Sequence, residues 1–235
     1  RLGLVKSLAW AALRATLQLM LLGQVLGWVF QLERPAIVLL LMGLMTVVAG
    51  FAAARRPERR FTQAPLHAVV SLLLTGVPLA LIVSVGIIKT DPWYRPQYLI
   101  PLLGMILGNS LTGISLAMDS FLEALDARRG QIETSLALGA TRYEASREAI
   151  ATAVRRGMVP ILNSMTVVGV VSLPGMMTGQ ILAGADPGQA VRYQLVVMFM
   201  LSASTALASL LMVVLAYRAL FDREHRLRAE RITKR

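Results

Sequence analysis

The 235-residue sequence contains no cysteine and two histidines, and only 16% of its residues are charged. Without thiols there is no disulfide framework, no thiolate zinc or iron–sulfur site and no cysteine nucleophile. His67 and His225 are far apart in the chain and do not build a histidine metal cage. No Gly-x-x-x-x-Gly-Lys-Ser/Thr loop is present, so the chain lacks the usual phosphate cradle for ATP hydrolysis. Nor does any carboxylate pair, Ser/Lys dyad or Ser/His dyad fall at membrane depth, which removes the common intramembrane enzymes.

The scarce charge is unevenly spread. Soluble domains carry roughly 25% charged residues, whereas residues 35–54, 61–88, 96–118, 157–185 and 193–217 have none, in runs of 20 to 29. A helix needs about 20 apolar residues to cross a bilayer. A sixth candidate, 15–31, lengthens through 9–13 if the stem of Arg14 snorkels. The expected fold is an all-α, polytopic integral membrane protein: one permease-like domain over 1–235 with six transmembrane helices.

The 24 Lys and Arg outnumber 13 Asp and Glu, a formal charge of +11. Nucleic acid is one partner such a surplus can indicate. When the connections between spans alternate sides, however, all basic residues except Arg34, Lys89, Arg95 and Arg192 fall on one side. The positive-inside rule assigns that side to the cytoplasm, with both ends of the chain, and the surplus is explained by orientation and anionic headgroups. No nucleic-acid partner is expected. The outer connections are short and broken by Pro and Gly, so no domain projects outward. Arg14 and Asp119 are expected to lie near enough to the surface to be solvated.

One cytoplasmic element is extended, residues 119–156, and a basic cytoplasmic tail covers 218–235. The first reads as a helix continuing span 4 past Ile132 and Leu136 to Gly139, a residue suited to a left-handed helix end. Thr141-x-x-Glu144 is a capping box that starts a second helix running into span 5. Small residues at the bend, Gly139 and Ala140 beside Leu138, let another surface approach the backbone. The region is either a solvated hairpin tethering two spans or a short lever pushed by a cytoplasmic partner.

Three stretches carry a family resemblance: GMILGNS at 104–110, ETSLALGAT at 133–141 and VGVVSLPGMMTGQILAGADP at 168–187. The sequence resembles the FetB family of ABC transporter permeases, described as iron exporters and related to plant aluminium-tolerance membrane proteins. The resemblance covers nearly the whole chain, and that family carries one further span before the position of Arg1. It implies an inner-membrane homodimer driven by a separate ABC ATPase, which would bind the ATP and Mg while this chain holds no cofactor. It also implies ATPase coupling through Glu133, Leu138, Gly139, Ala140, Thr141, Arg142 and Glu144. In the importer form of the coupling motif a Pro follows the Gly by about a dozen residues; here the next is Pro160.

Charge is nearly absent from the spans, so a path must be sought among neutral polar groups. Asn109, Asn163 and Gln180 each need several partners to be satisfied when buried, and Ser164 adjoins Asn163. The Pro174–Gly175 pair removes a donor inside 157–185, and residues 173–179 are expected to be non-helical or kinked along the path. Met176 and Met177 fall in the same stretch. Their reading is ordinary packing, since thioethers suit Cu(I) better than iron. No metal ligand set is visible. An iron substrate therefore comes from the resemblance alone, and a polar organic solute such as UDP-glucose fits a neutral path as well. A membrane scaffold without transport is the third alternative, against which the broken, Gly/Pro-rich span 5 counts.

Overall fold

The computed structural model describes residues 4–32, 34–222 and 224–234. Among these described residues five helices have the length and apolarity to cross a membrane: α1 (Leu4–Leu32), α2 (Pro35–Arg55), α3 (Ala64–Leu81), α4 (Pro96–Ala127) and α8 (Pro187–Leu220). Proline stands at the first or second position of α2, α3, α4 and α8. There its missing N–H costs nothing and its fixed φ already suits the helix. A π-helical turn, Ile82–Ile88, extends α3 and ends at Lys89 in the left-handed region.

Between α4 and α8 lie α5 (Arg129–Ala137), α6 (Arg142–Val167) and the short α7 (Gly175–Leu182). The core is built where α4, α6 and α8 meet. A Cβ on Gly113 of α4 would stand 3.1 Å from Gly157 O and 2.6 Å from Thr205 Cγ2, while one on Gly157 would meet Gly113 O at 2.8 Å. The helices thus touch backbone to backbone, the packing that membranes reward because lipid supplies no hydrophobic drive between helices. Ser110 and Ser204 share a 3.0 Å hydrogen bond in the same layer. Phe121, Met118, Leu122 and Met212 fill the space nearer the arginine-rich end. Gly50 gives α2 the same closeness to α3, since its Cβ would collide with the Val69 backbone. α1 is exposed on all sides from residue 5 to 25, Leu8 and, on the opposite face, Trp10, Leu17 and Leu21 included.

Four features differ from the sequence expectations. The uncharged stretch 157–185 is divided: α6 ends at Val167, residues 168–174 are non-helical with a bridge between Val168 and Ser172, and α7 follows. The break therefore lies at 168–174, and Gly175–Gly179 is helical where 173–179 was expected to be irregular. The cause is Gly169, with φ +82, followed by Pro174 as the N-cap of α7. Second, the helix continuing span 4 stops at Ala127, because Arg128 leaves helical geometry at φ −106, ψ 21 before α5 begins. Third, the described part of the 218–234 tail has regular structure. Its β2 (Thr233–Lys234) pairs antiparallel with β1 (Arg59–Arg60), a two-stranded ladder of two residues a side beside the helices. Fourth, Asp119, expected to be solvated, is half-buried and its Oδ1 is shielded from solvent without a hydrogen-bond partner, while Arg14 lies on the exposed surface of α1.

Candidate functional site

The corner between α5 and α6 is closed by two local motifs. The N–H of Ala140 donates to Ser135 O at 3.0 Å and that of Gly139 to Leu136 O at 3.1 Å. This pair of bonds satisfies carbonyls that the end of α5 would otherwise leave open, and it requires the left-handed φ of +95 that Gly139 supplies. Two residues later Thr141 caps α6. The Glu144 N–H donates to Thr141 Oγ1 at 3.3 Å, and Glu144 Oε2 accepts from the Thr141 N–H at 2.8 Å and from its hydroxyl at 2.7 Å. Those bonds, the backbone one first, hold the Glu144 carboxyl below its ordinary value. The capping box is present as the spacing implied.

The corner stands at the end of a braced hairpin. Arg156 of α6 pairs with Glu123 of α4 at 3.1 Å, and Arg128 pairs with Glu148 at 2.7 Å. The second pair draws the Glu148 carboxyl down as well. Glu133 pairs with Arg129 one turn earlier on its own helix, at 2.7 Å. Beyond these braces the tip is open: Leu138 is 83% exposed and Tyr143 55%. Leu138 is thus a large apolar side chain left uncovered on a closed corner, and from the next residues α6 runs as one helix, with Pro160 inside it, to Val167.

What sequence reasoning missed is the tail. Asp222 Oδ1 accepts from the backbone N–H groups of Glu224 and Arg226 at 3.0 and 2.8 Å, and Phe221 bridges Leu227. The bond from Arg226, the largest cause, lowers the Asp222 carboxyl. The turn so formed presents His225 to the corner: the Arg142 N–H donates to His225 Nδ1 at 3.0 Å, and Arg142 Nη1 to Asp222 O at 3.1 Å. The guanidinium also lies 5.5 Å over the Tyr217 ring. The only sequence signal was an Asp three residues before His225, ready to bond backbone ahead of it.

The expected path residues do not converge as the coupling residues do. Asn109 is half-buried on α4 and donates to Met105 O of its own helix at 3.0 Å. Asn163 and Ser164 are exposed on α6, and Ser164 donates to Pro160 O. Pro174 and Gly175 open α7, Met176 packs against the core and Met177 is buried. Gln180 has its Oε1 enclosed without a hydrogen-bond partner, as does Gln194 on α8. Around Asn163, the side chains of Leu162, Val167, Val170 and Val171 are uncovered. Among the described residues no group of three His, Asp or Glu could hold a metal ion.

A family model described as an uncharacterised protein family, UPF0014, matches residues 1–221. The chain is 39% identical to a UPF0014 membrane protein of Synechocystis over 96% of this chain and 87% of that protein. It is 31% identical to the probable iron export permease protein FetB of Escherichia coli K12, over 100% of this chain and 89% of that one. With the rice UPF0014 membrane protein STAR2 the identity is 38%, over 94% and 76%. No solved structure matches the chain significantly.

Proposed function

The chain belongs to the UPF0014 family of membrane proteins, and on that premise we propose that it is the transmembrane permease subunit of an ABC exporter. It is a transport subunit rather than an enzyme, and a separate ATPase supplies the hydrolysis. The arginine-rich end faces the cytoplasm of a cell whose inner membrane holds the bundle, in accord with the positive-inside rule. The stretch 157–185 then makes the sixth crossing as a broken helix, which a membrane accepts where protein or a polar cavity surrounds the break. The ATPase docks on Leu138–Thr141.

The observation that carries this reading is the braced, Thr141-capped corner with Leu138 exposed at its tip. Motion imposed there passes along α6, without an intervening break, to Asn163 and the 168–174 interruption. We put the path between two copies of the chain, a reading supported by the exposure of Asn163, Ser164, Val170 and Val171 in one copy. The substrate is iron or another metal ion, as for the probable iron export permease protein FetB of Escherichia coli. A polar organic solute such as UDP-glucose is the second reading, favoured by the neutral Asn109, Asn163, Ser164 and Gln180.

Vesicles containing the chain and its ATPase, loaded in turn with iron, other metals and UDP-glucose, test both levels. Glu133→Arg with Gly139→Trp is expected to abolish ATP-driven transport while leaving insertion intact. Leu138→Asp, which strains no backbone, should weaken it in the same direction. Transport that is unaltered in both variants overturns the lever.

A further inference from the structure

The tail walls one side of an open cavity of about 940 Å³ at the arginine-rich end, between the last turn of α8 and the first residue of α6. Arg142, Arg218, Arg226, Arg228 and Arg231 line it. Against those five guanidinium groups stand two carboxylates, Asp222 and Glu224. Arg226 pairs with Glu224 at 3.1 Å and Arg228 approaches Asp222 at 3.8 Å. Arg142 and Arg231 donate to backbone carbonyls, of Asp222 and Ala219, which orients them without neutralising them. Arg218 makes no hydrogen bond or ion pair among the described residues and is exposed. Cations gathered in one concavity repel each other unless an anion joins them, and arginine forks match phosphate oxygens in particular.

We propose that this cavity binds the phosphate headgroup of an anionic phospholipid, a two-phosphate headgroup best of all. Two observations, the cavity's place at helix ends and an exposed apolar side chain near it, select a lipid over a soluble phosphate, and a third strengthens its hold on any anion. The cavity is bounded by ends of two spanning helices, the last turn of α8 and Gln63 at the N-cap of α3, so it lies at headgroup level. The Gln63 side chain gives α3 no capping bond, so the positive end of that helix adds to the field. Leu66, in the first turn of α3 and three residues after Gln63, is 62% exposed, an apolar side chain free to meet an acyl chain. Basic pockets between spanning helices on the cytoplasmic side are the usual receptors for such headgroups. A bound headgroup would bridge Arg142 of the corner and Arg218 of α8, and would hold the tail across the lever. The proposal does not depend on the identity of the transported solute.

The full chain, purified and placed in phosphatidylcholine nanodiscs, is to be titrated with cardiolipin and with phosphatidylglycerol, and separately with inorganic phosphate and pyrophosphate. Retention by native mass spectrometry and thermal midpoint are the readouts. Cardiolipin is expected to be retained, to raise the midpoint and to weaken as salt rises. Arg218→Glu with Arg231→Glu should lower its affinity by at least about tenfold, at roughly 1 kcal/mol per basic residue. Arg218→Lys with Arg231→Lys, which keeps both charges, should retain most of it. No preference over phosphatidylcholine in the unmodified protein overturns the proposal, as does equal retention by the Glu variant. Stabilisation by pyrophosphate equal to that by cardiolipin assigns the site to soluble phosphates and overturns the lipid.

Discussion

The backbone N–H of Arg142, at the first position of α6, donates to Nδ1 of His225 at 3.0 Å, although 82 residues separate the two in the chain. An N–H in the first turn of a helix has no partner within it, so a side chain from elsewhere can satisfy one at no cost to the helix. The tail uses that opening to latch onto the corner. His225 itself sits at φ +59, a conformation a side chain tolerates poorly. Replacing it with glycine relieves the backbone and removes the acceptor. His225→Gly is therefore expected to raise the rate of tryptic cleavage in the 218–234 segment several-fold. Unchanged cleavage would show that Asp222 alone holds the turn.

Thr141→Ala removes the acceptor for the Glu144 N–H and is expected to destabilise the start of α6 by about 1 kcal/mol. Hydrogen exchange at the amides of the first α6 turn should report it. Glu144 adds a pH dependence. Its carboxyl is lowered in the folded chain by the Thr141 bonds, so its contribution is complete above the ordinary carboxylate range and is lost as acidification carries the group through its lowered value. Protection of those amides should fall on that acid limb and be flat from there to neutrality, and Glu144→Gln should abolish the limb.

The glycines separate by what a methyl group would meet. Gly157→Ala puts a Cβ 2.8 Å from Gly113 O and 2.9 Å from Ser209 Oγ. A carbonyl fixed in a helix cannot yield, so α4 and α6 must part. Overpacking of this kind costs about 1–3 kcal/mol, and thermal unfolding in detergent should shift down accordingly. At Gly108 nothing lies within 4 Å. Gly108→Ala should then be neutral or stabilising by up to about 1 kcal/mol from helix propensity.

Since the chain contains no cysteine, a single introduced thiol reports one place without background. Val170→Cys, on the uncovered surface of the 168–174 break, is expected to cross-link two copies under mild oxidation in membranes. Leu66→Cys, at the side chain proposed to meet an acyl chain, should not. The reverse result would move the interface, and with it the path, to another face.

Arg156 and Glu123 brace the lever from two helices. Arg156→Glu should reduce ATP-driven transport several-fold while changing stability by less than about 1 kcal/mol, the usual worth of an exposed pair. Exchanging the charges, Arg156→Glu with Glu123→Arg, should restore transport if the brace and not either side chain is what transport requires.

Much of this molecule was legible in the linear order of residues. The long apolar helices, their proline-marked starts, the Gly139 helix end and the Thr141–Glu144 box are all decided within a few residues, by hydrogen-bonding stereochemistry and by the length a bilayer demands. The sequence also located the break in 157–185 to within a few positions, though the choice between Gly169 and Pro174 as its centre depends on bonds such as Gly169 N–H to Ser172 O. Tertiary structure alone decided which glycines touch, because Gly113 and Gly157 are distinguished from Gly108 only by the helix across from them. It likewise turned the basic tail into one wall of an arginine-lined cavity. The reason is that the latch joins His225 to Arg142 and β2 to β1, contacts whose partners lie far along the chain and leave no periodic trace in it.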